Sequence, residues 1–187
     1  LLGSIDITSP MRSDFLEKRM VCVPMLADRL RELQLPIMVQ DNTARLSTAF
    51  TVSVDALKGA TTGISAQDRA VTIKSLLDED TKPEDLARPG HIFPLRYTEG
   101  GVLVRSGQTE AVVDLAKMAG LYPAGVICEV MAEDGSMARM PDLAKFSSTH
   151  DIGIVSVADI ISYRRGNETI IERVAEARLP TIWGEFH

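Results

Sequence analysis

Apolar residues change their spacing several times along this 187-residue chain, and each change marks a predicted element. Val21–Met25 is a continuous apolar run of strand length, after which Leu26, Leu30 and Leu33 recur at helical spacing until Pro36. Residues 48–55 alternate β-formers as a strand does. A loop of small residues, 58–65, then leads into a helix over 66–77 with Ala66, Ala70, Ile73 and Leu77 on one face, and Ser65 with Asp68 forms a capping pair at its start. Residues 91–97 and 101–106 read as the two strands of a hairpin, turning through Thr98-Glu99-Gly100-Gly101, where the glycines are free to take positive φ. Val112, Leu115, Ala116 and Met118 give the next helix, over 109–118, which stops at Gly120. A strand over 124–131, a tight turn at 133–135, a helix over 141–149, a short strand over 152–156 and a helix over 157–165 complete the pattern. A weaker pattern suggests a helix over 11–18, and the tail from Asn167 reads as a linker, with few apolar residues before Ile182, Trp183 and Phe186.

Strands mixed with helices predict an α+β sandwich, a mixed sheet flanked by helices in three layers. With 45% apolar residues at this length, the core is that of a single domain. The formal charge is −6 with both signs interspersed, so there is no basic face for nucleic acid, and a small anionic ligand needs local arginines. Apolar runs fall far short of the ~18 residues of a membrane span, and the first residues lack the layout of a secretory signal, which together predict a cytoplasmic chain. Cys22 and Cys128 suggest neither a zinc motif nor a disulfide framework. The chain begins at Leu1 rather than methionine, so residues upstream are open.

Candidate chemistry gathers between Arg88 and Ala111. Arg105 precedes a helix start at which Thr109 supplies a hydroxyl, an arrangement suited to a phosphate. The Thr61-Thr62-Gly63-Ile64-Ser65 loop is a second possible anion site, and Arg88 a further phosphate ligand. Glu129 lies in an otherwise apolar stretch, and is either a general acid/base or a carboxylate at a strand end or paired with an arginine. His91, after Pro89-Gly90, is either structural or an acid/base group. Cys22 between valines is most simply a buried apolar residue, and His150 and His187 read as surface residues.

Four segments, ATTGISAQDRA (60–70), RPGHIFPL (88–95), GVLVRSGQTEAVVDLAKMAGLYPAGVICEV (101–130) and DGSMAR (134–139), closely resemble 3,4-dihydroxy-2-butanone 4-phosphate synthase, in the family's order. IERVAEARLPTIWGEFH (171–187) resembles the opening of the GTP cyclohydrolase II domain that follows this synthase in bifunctional riboflavin proteins. The resemblance implies a synthase domain over 1–166 and the start of an attached cyclohydrolase over 167–187. It implies conversion of D-ribulose 5-phosphate to L-3,4-dihydroxy-2-butanone 4-phosphate and formate, with magnesium or manganese, by a cytoplasmic or, in a plant, plastid homodimer whose sites lie near the interface. By motif, His91 and Glu129 match catalytic residues, and Cys22 matches a cysteine near the substrate. Arg105, Gly107, Gln108, Thr109 and Thr62 match the substrate and phosphate contacts.

Two departures from the pattern bear on the metal. The family reads Arg-x-Gly-His-Thr-Glu-Ala where this chain has Gln108, so the metal-ligand histidine becomes a neutral amide. The family's acidic loop, of the type Asp-Asp-Glu-Asn-Arg-Glu-Asn-Glu, which supplies the other ligand, does not occur in these residues, so it lies upstream of Leu1 or is lost. Two readings follow: a riboflavin-pathway lyase with a weakened metal site, or a catalytically silent domain acting as a dimerisation scaffold for the cyclohydrolase.

Overall fold

The computed structural model describes residues 19–132, 134–169 and 174–186. The helix expected over 11–18, Glu133 and His187 lie outside them.

Strand β1 (Val21–Met25) is buried at all its positions, as its unbroken apolar run requires. Helix α1 (Ala27–Glu32) follows and ends where Gln34 takes positive φ ahead of Pro36. Strand β3 (Leu86–Arg96) is the centre of the sheet, pairing parallel with β1 and antiparallel with β2 (Val54–Ala56) in the order β1-β3-β2. Helix α2 (Ala66–Leu77) starts as its capping pair predicts, with the Asp68 N–H donating to Ser65 Oγ at 3.1 Å.

Val21, Val23, Met25, Val54 and Ile92 share one core with Leu30 from α1, Leu33 at its C-cap, and Ile73 and Leu76 from α2. Leu33 and Leu76 are fully buried, each stabilising the fold by about 1.5–3 kcal/mol relative to exposure. Strand alternation turns Cys22, Phe93 and Leu95 to the opposite face, where β1 meets helix α3 (Gln108–Met118). A second cluster, built on Val102, Ala111 and Ile160, joins α3 to helix α5 (Val157–Asn167). Helix α4 (Met140–His150) has no fully buried residue. The result is the expected mixed sheet with helices, but with fewer strands than the pattern predicts.

Residues 101–106 are not a hairpin strand: Gly101–Leu103 is a short 3-10 turn. The buried Asp114 of α3 explains it, accepting the Val102 N–H and the Tyr97 hydroxyl, both at 2.8 Å, and pairing with Arg164 of α5. Gly100 and Gly101 take positive φ, and a Cβ on Gly101 would sit 2.3 Å from the Asp114 oxygens. The chain is thereby drawn onto α3 instead of back along β3. Only the end of the expected 48–55 strand enters β2; Phe50 and Thr51 make isolated pairings with Leu95 and Ile37. Residues 124–131 run antiparallel beside β1, bridging it only at Ala124 and Ile127. Residues 152–156 form no strand, because the Ile152 N–H closes back on the Ser147 carbonyl before α5 begins. Where a linker was expected, β4 (Leu179–Thr181) and β5 (Gly184–Phe186) pair as a hairpin with exposed strands.

Candidate active site

On the sheet face opposite α1 and α2, a cavity of about 540 Å³ brings together Cys22, Arg105, Gly107, Gln108, Thr109 and Glu129, with Phe50, Leu95 and Ile127 as its apolar wall. The parallel β1–β3 pair supplies Cys22 and Leu95, and the turn forced by Asp114 delivers Arg105 to the head of α3.

Arg105 is fixed from two sides. Its Nη1 donates to Glu110 Oε2 at 2.6 Å, and its Nη2 to the Leu46 carbonyl at 2.9 Å. The Glu110 side chain is 1% exposed and also accepts the Thr98 N–H at 3.3 Å. Two of the five guanidinium N–H donors are thus engaged, leaving the others for a ligand. A Cβ on Gly107 would lie 2.4 Å from Arg105 Nη1, so only glycine lets the ion pair pass. Gly107 is also the N-cap of α3 and offers no side-chain cap, so the first N–H groups of that helix have no partner from the cap residue.

Glu129 stands exposed at the cavity, so the cost of burying a carboxylate in an apolar strand does not arise; its carbonyl accepts from Arg19 at 2.9 Å. The Cys22 thiol is pushed up to about 12, mainly by burial and then by the Glu129 charge and Cys128. It is therefore a neutral thiol at physiological pH.

His91 and Thr62 are not walls of this cavity. His91 lies on the same face of β3 as Leu95, with Phe93 between them, and its ring Nδ1 is 2.7 Å from Asp55 Oδ2. Thr62 is exposed in the 58–65 loop, whose Thr61 and Gly63 N–H groups donate to the buried Asp68 carboxylate. Those hydrogen bonds, the Thr61 backbone first, hold the Asp68 carboxyl below the usual carboxylate range. Arg88 donates to the carbonyls of Leu33, Pro83 and Leu86, so it braces the fold. His150 is exposed and packs against Phe146. Sequence reasoning missed Asp55, Asp68 as a loop anchor, and Glu110; the one available signal for Glu110 was an acidic residue in the first turn of a helix just after an arginine.

Among the described residues, no group of three or more His, Cys, Asp or Glu could hold a metal ion. Magnesium, however, commonly takes only one or two protein ligands, with substrate and water completing its shell. The Gln108 amide supplies a hard oxygen at a wall that also carries the Glu129 carboxylate, and this donor set fits a magnesium ion held in part by its substrate.

The model of the family 3,4-dihydroxy-2-butanone 4-phosphate synthase matches residues 15–163. The chain is 57% identical over 168 residues to the chloroplastic bifunctional riboflavin biosynthesis protein RIBA 1 of Arabidopsis thaliana, covering 89% of this chain and 31% of that protein. Against the crystal structure of RibBX, a two-domain 3,4-dihydroxy-2-butanone 4-phosphate synthase from A. baumannii, the TM-score is 0.86 at 43% identity, over 96% of this chain and 54% of that one. A synthase of the same name, solved in complex with two magnesium ions, gives 0.77 at 35% identity, over 84% of this chain and 80% of its own. The chain spans about half or less of the length of the curated relatives it matches. By family model, sequence and fold alike, it belongs to the 3,4-dihydroxy-2-butanone 4-phosphate synthase family.

Proposed function

We propose that this chain converts D-ribulose 5-phosphate to L-3,4-dihydroxy-2-butanone 4-phosphate and formate, as a step of riboflavin biosynthesis. The observation that carries the reading is the head of α3, where helix N–H groups without a side-chain cap, Thr109 and a guanidinium fixed by Glu110 meet at one cavity. The substrate phosphate would bind there, through the unengaged Arg105 donors and the helix N-terminus. Glu129 faces the same space and would move protons on the sugar. Cys22, a neutral thiol, would serve as wall and not as nucleophile. A bound divalent cation, magnesium or manganese, supplies a Lewis acid for the sugar oxygens. Gln108 would hold it through a carbonyl, more weakly than the family's imidazole.

His91 and Thr62 lie outside the cavity wall of a single chain, and Leu57 and Ile64 near them are exposed. Both facts favour a homodimer that completes the site, with His91 as the second proton-transfer group. The same reading makes 1–166 the synthase domain and 167–187 the lead into a covalently attached GTP cyclohydrolase II, in the cytoplasm or a plastid. Among the described residues no helix is long and apolar enough to cross a membrane. The silent-scaffold alternative gains no support from relatives named as synthases. Coupled detection of formate from ribulose 5-phosphate and magnesium tests the proposal: release that is lost on chelation and in Glu129→Gln is expected, and no release at all sinks it.

A further inference from the structure

We propose that Asp55 is the positioning residue for His91, fixing the imidazole with its proton on Nδ1 and its Nε2 lone pair turned outward. The inference rests on the reading above only in giving His91 a proton-transfer role. The Asp55 carboxylate grips His91 twice: Oδ1 accepts its backbone N–H at 2.9 Å, and Oδ2 meets its ring Nδ1 at 2.7 Å. An ionised carboxylate can only accept, so the ring contact requires the proton on Nδ1. The Asp55 side chain is 14% exposed against 40% for His91, so the carboxylate lies behind the ring and the ring's outer edge faces solvent.

The surrounding backbone is shaped to this pair. The β2–β3 register slips between Val54 and Asp55: Val54 faces Ile92 while Asp55 faces Ala87, and the residues from Arg88 to His91 fall in the excursion. Such irregularities re-aim a side chain, here Asp55. Gly90 lets the two backbones touch, since a Cβ there would lie 2.0 Å from the Val54 carbonyl carbon. Gly63, at φ +85°, closes over the pair, and its Cβ would lie 2.0 Å from Asp55 Oδ2 and 2.7 Å from His91 Nδ1. Two glycines leave room for one carboxylate–imidazole contact that a side chain would block.

The bidentate grip makes the test sharp. In Asp55→Asn the amide oxygen must stay on the His91 N–H, which places the NH₂ group opposite Nδ1 and forces that nitrogen to accept. The proton moves to Nε2. Long-range ¹H–¹⁵N correlation spectra of the wild-type protein should show His91 protonated on Nδ1, and those of Asp55→Asn should show the opposite tautomer. With formate release as the second readout, kcat should fall by about 10²-fold, within the range a positioned acid or base contributes, while KM stays within about threefold. An Nε2-protonated His91 in the wild type overturns the proposal without any variant having to fold. So does a folded Asp55→Asn protein with an unchanged tautomer or an unchanged kcat. If the wild type releases no formate, the tautomer result still decides this inference and the functional reading fails separately.

Discussion

At the heads of α2 and α3 the backbone offers the same thing, a row of N–H groups with no acceptor inside the helix. At α2 the protein supplies its own acceptors. Ser65 caps the helix, and Asp68 folds back to take the Thr61 and Gly63 N–H groups and the Thr61 hydroxyl of the preceding loop. At α3 the cap residue is Gly107, which has no side chain to offer, and the adjacent guanidinium is anchored from behind by Glu110. Both stretches look alike as loop-to-helix junctions rich in Thr, Ser and Gly. The comparison teaches that α2 spends a carboxylate of its own on the loop before it, whereas α3 leaves the N–H groups at its head without a side-chain acceptor from the cap residue.

Arg105→Ala breaks the comparison hardest. Losing two charge-assisted hydrogen bonds, at about 1.5–3 kcal/mol each, should weaken ribulose 5-phosphate binding by at least about 10²-fold in a calorimetric titration. Unchanged affinity would remove the α3 head from the argument.

Gly107→Ala is milder and isolates geometry. At φ −110° the backbone tolerates alanine, but the new Cβ presses on Arg105 Nη1. A displacement that loses about one hydrogen bond to the ligand should lower affinity about tenfold, and, because it strains the Arg105–Glu110 pair, should lower the melting temperature as well. A large loss of stability with intact binding would mean that the glycine serves folding and not the site.

Asp68→Asn sharpens the contrast from the self-capped side. Because the folded Asp68 carboxyl lies below its unfolded value, its stabilisation is fully present above about pH 4 and is lost as pH falls through the folded value. Asp85, Asp134, Asp159 and Glu168 are lowered too, so the wild type's acid sensitivity is shared and only the difference between proteins is informative. Urea midpoints of wild type and variant should differ at pH 6 and begin to converge as the pH falls below about 4. A gap that stays constant with pH would show that the Asp68 charge is not what closes the loop.

Local sequence determined the parts governed by short-range physics. The run Val21–Met25 is a strand because nothing in it tolerates water, and Ala66–Leu77 starts at Ser65 because a hydroxyl three residues before a free N–H caps it in any context. The motif around Arg105, Gln108 and Thr109 was legible as a family signature, and those residues do share one cavity. Tertiary structure decided whatever depended on a distant carboxylate. Asp114, twelve residues beyond Val102, turned a predicted strand into a 3-10 turn, and Asp55, thirty-six residues before His91, holds that ring. Asp68 closed a loop that reads as open, while Glu110 sits five residues from its arginine on the far side of a glycine. Hydrophobic spacing reports which residues avoid water, but it carries no information about which N–H or guanidinium a buried anion will take, and that choice separates the filled helix head from the open one.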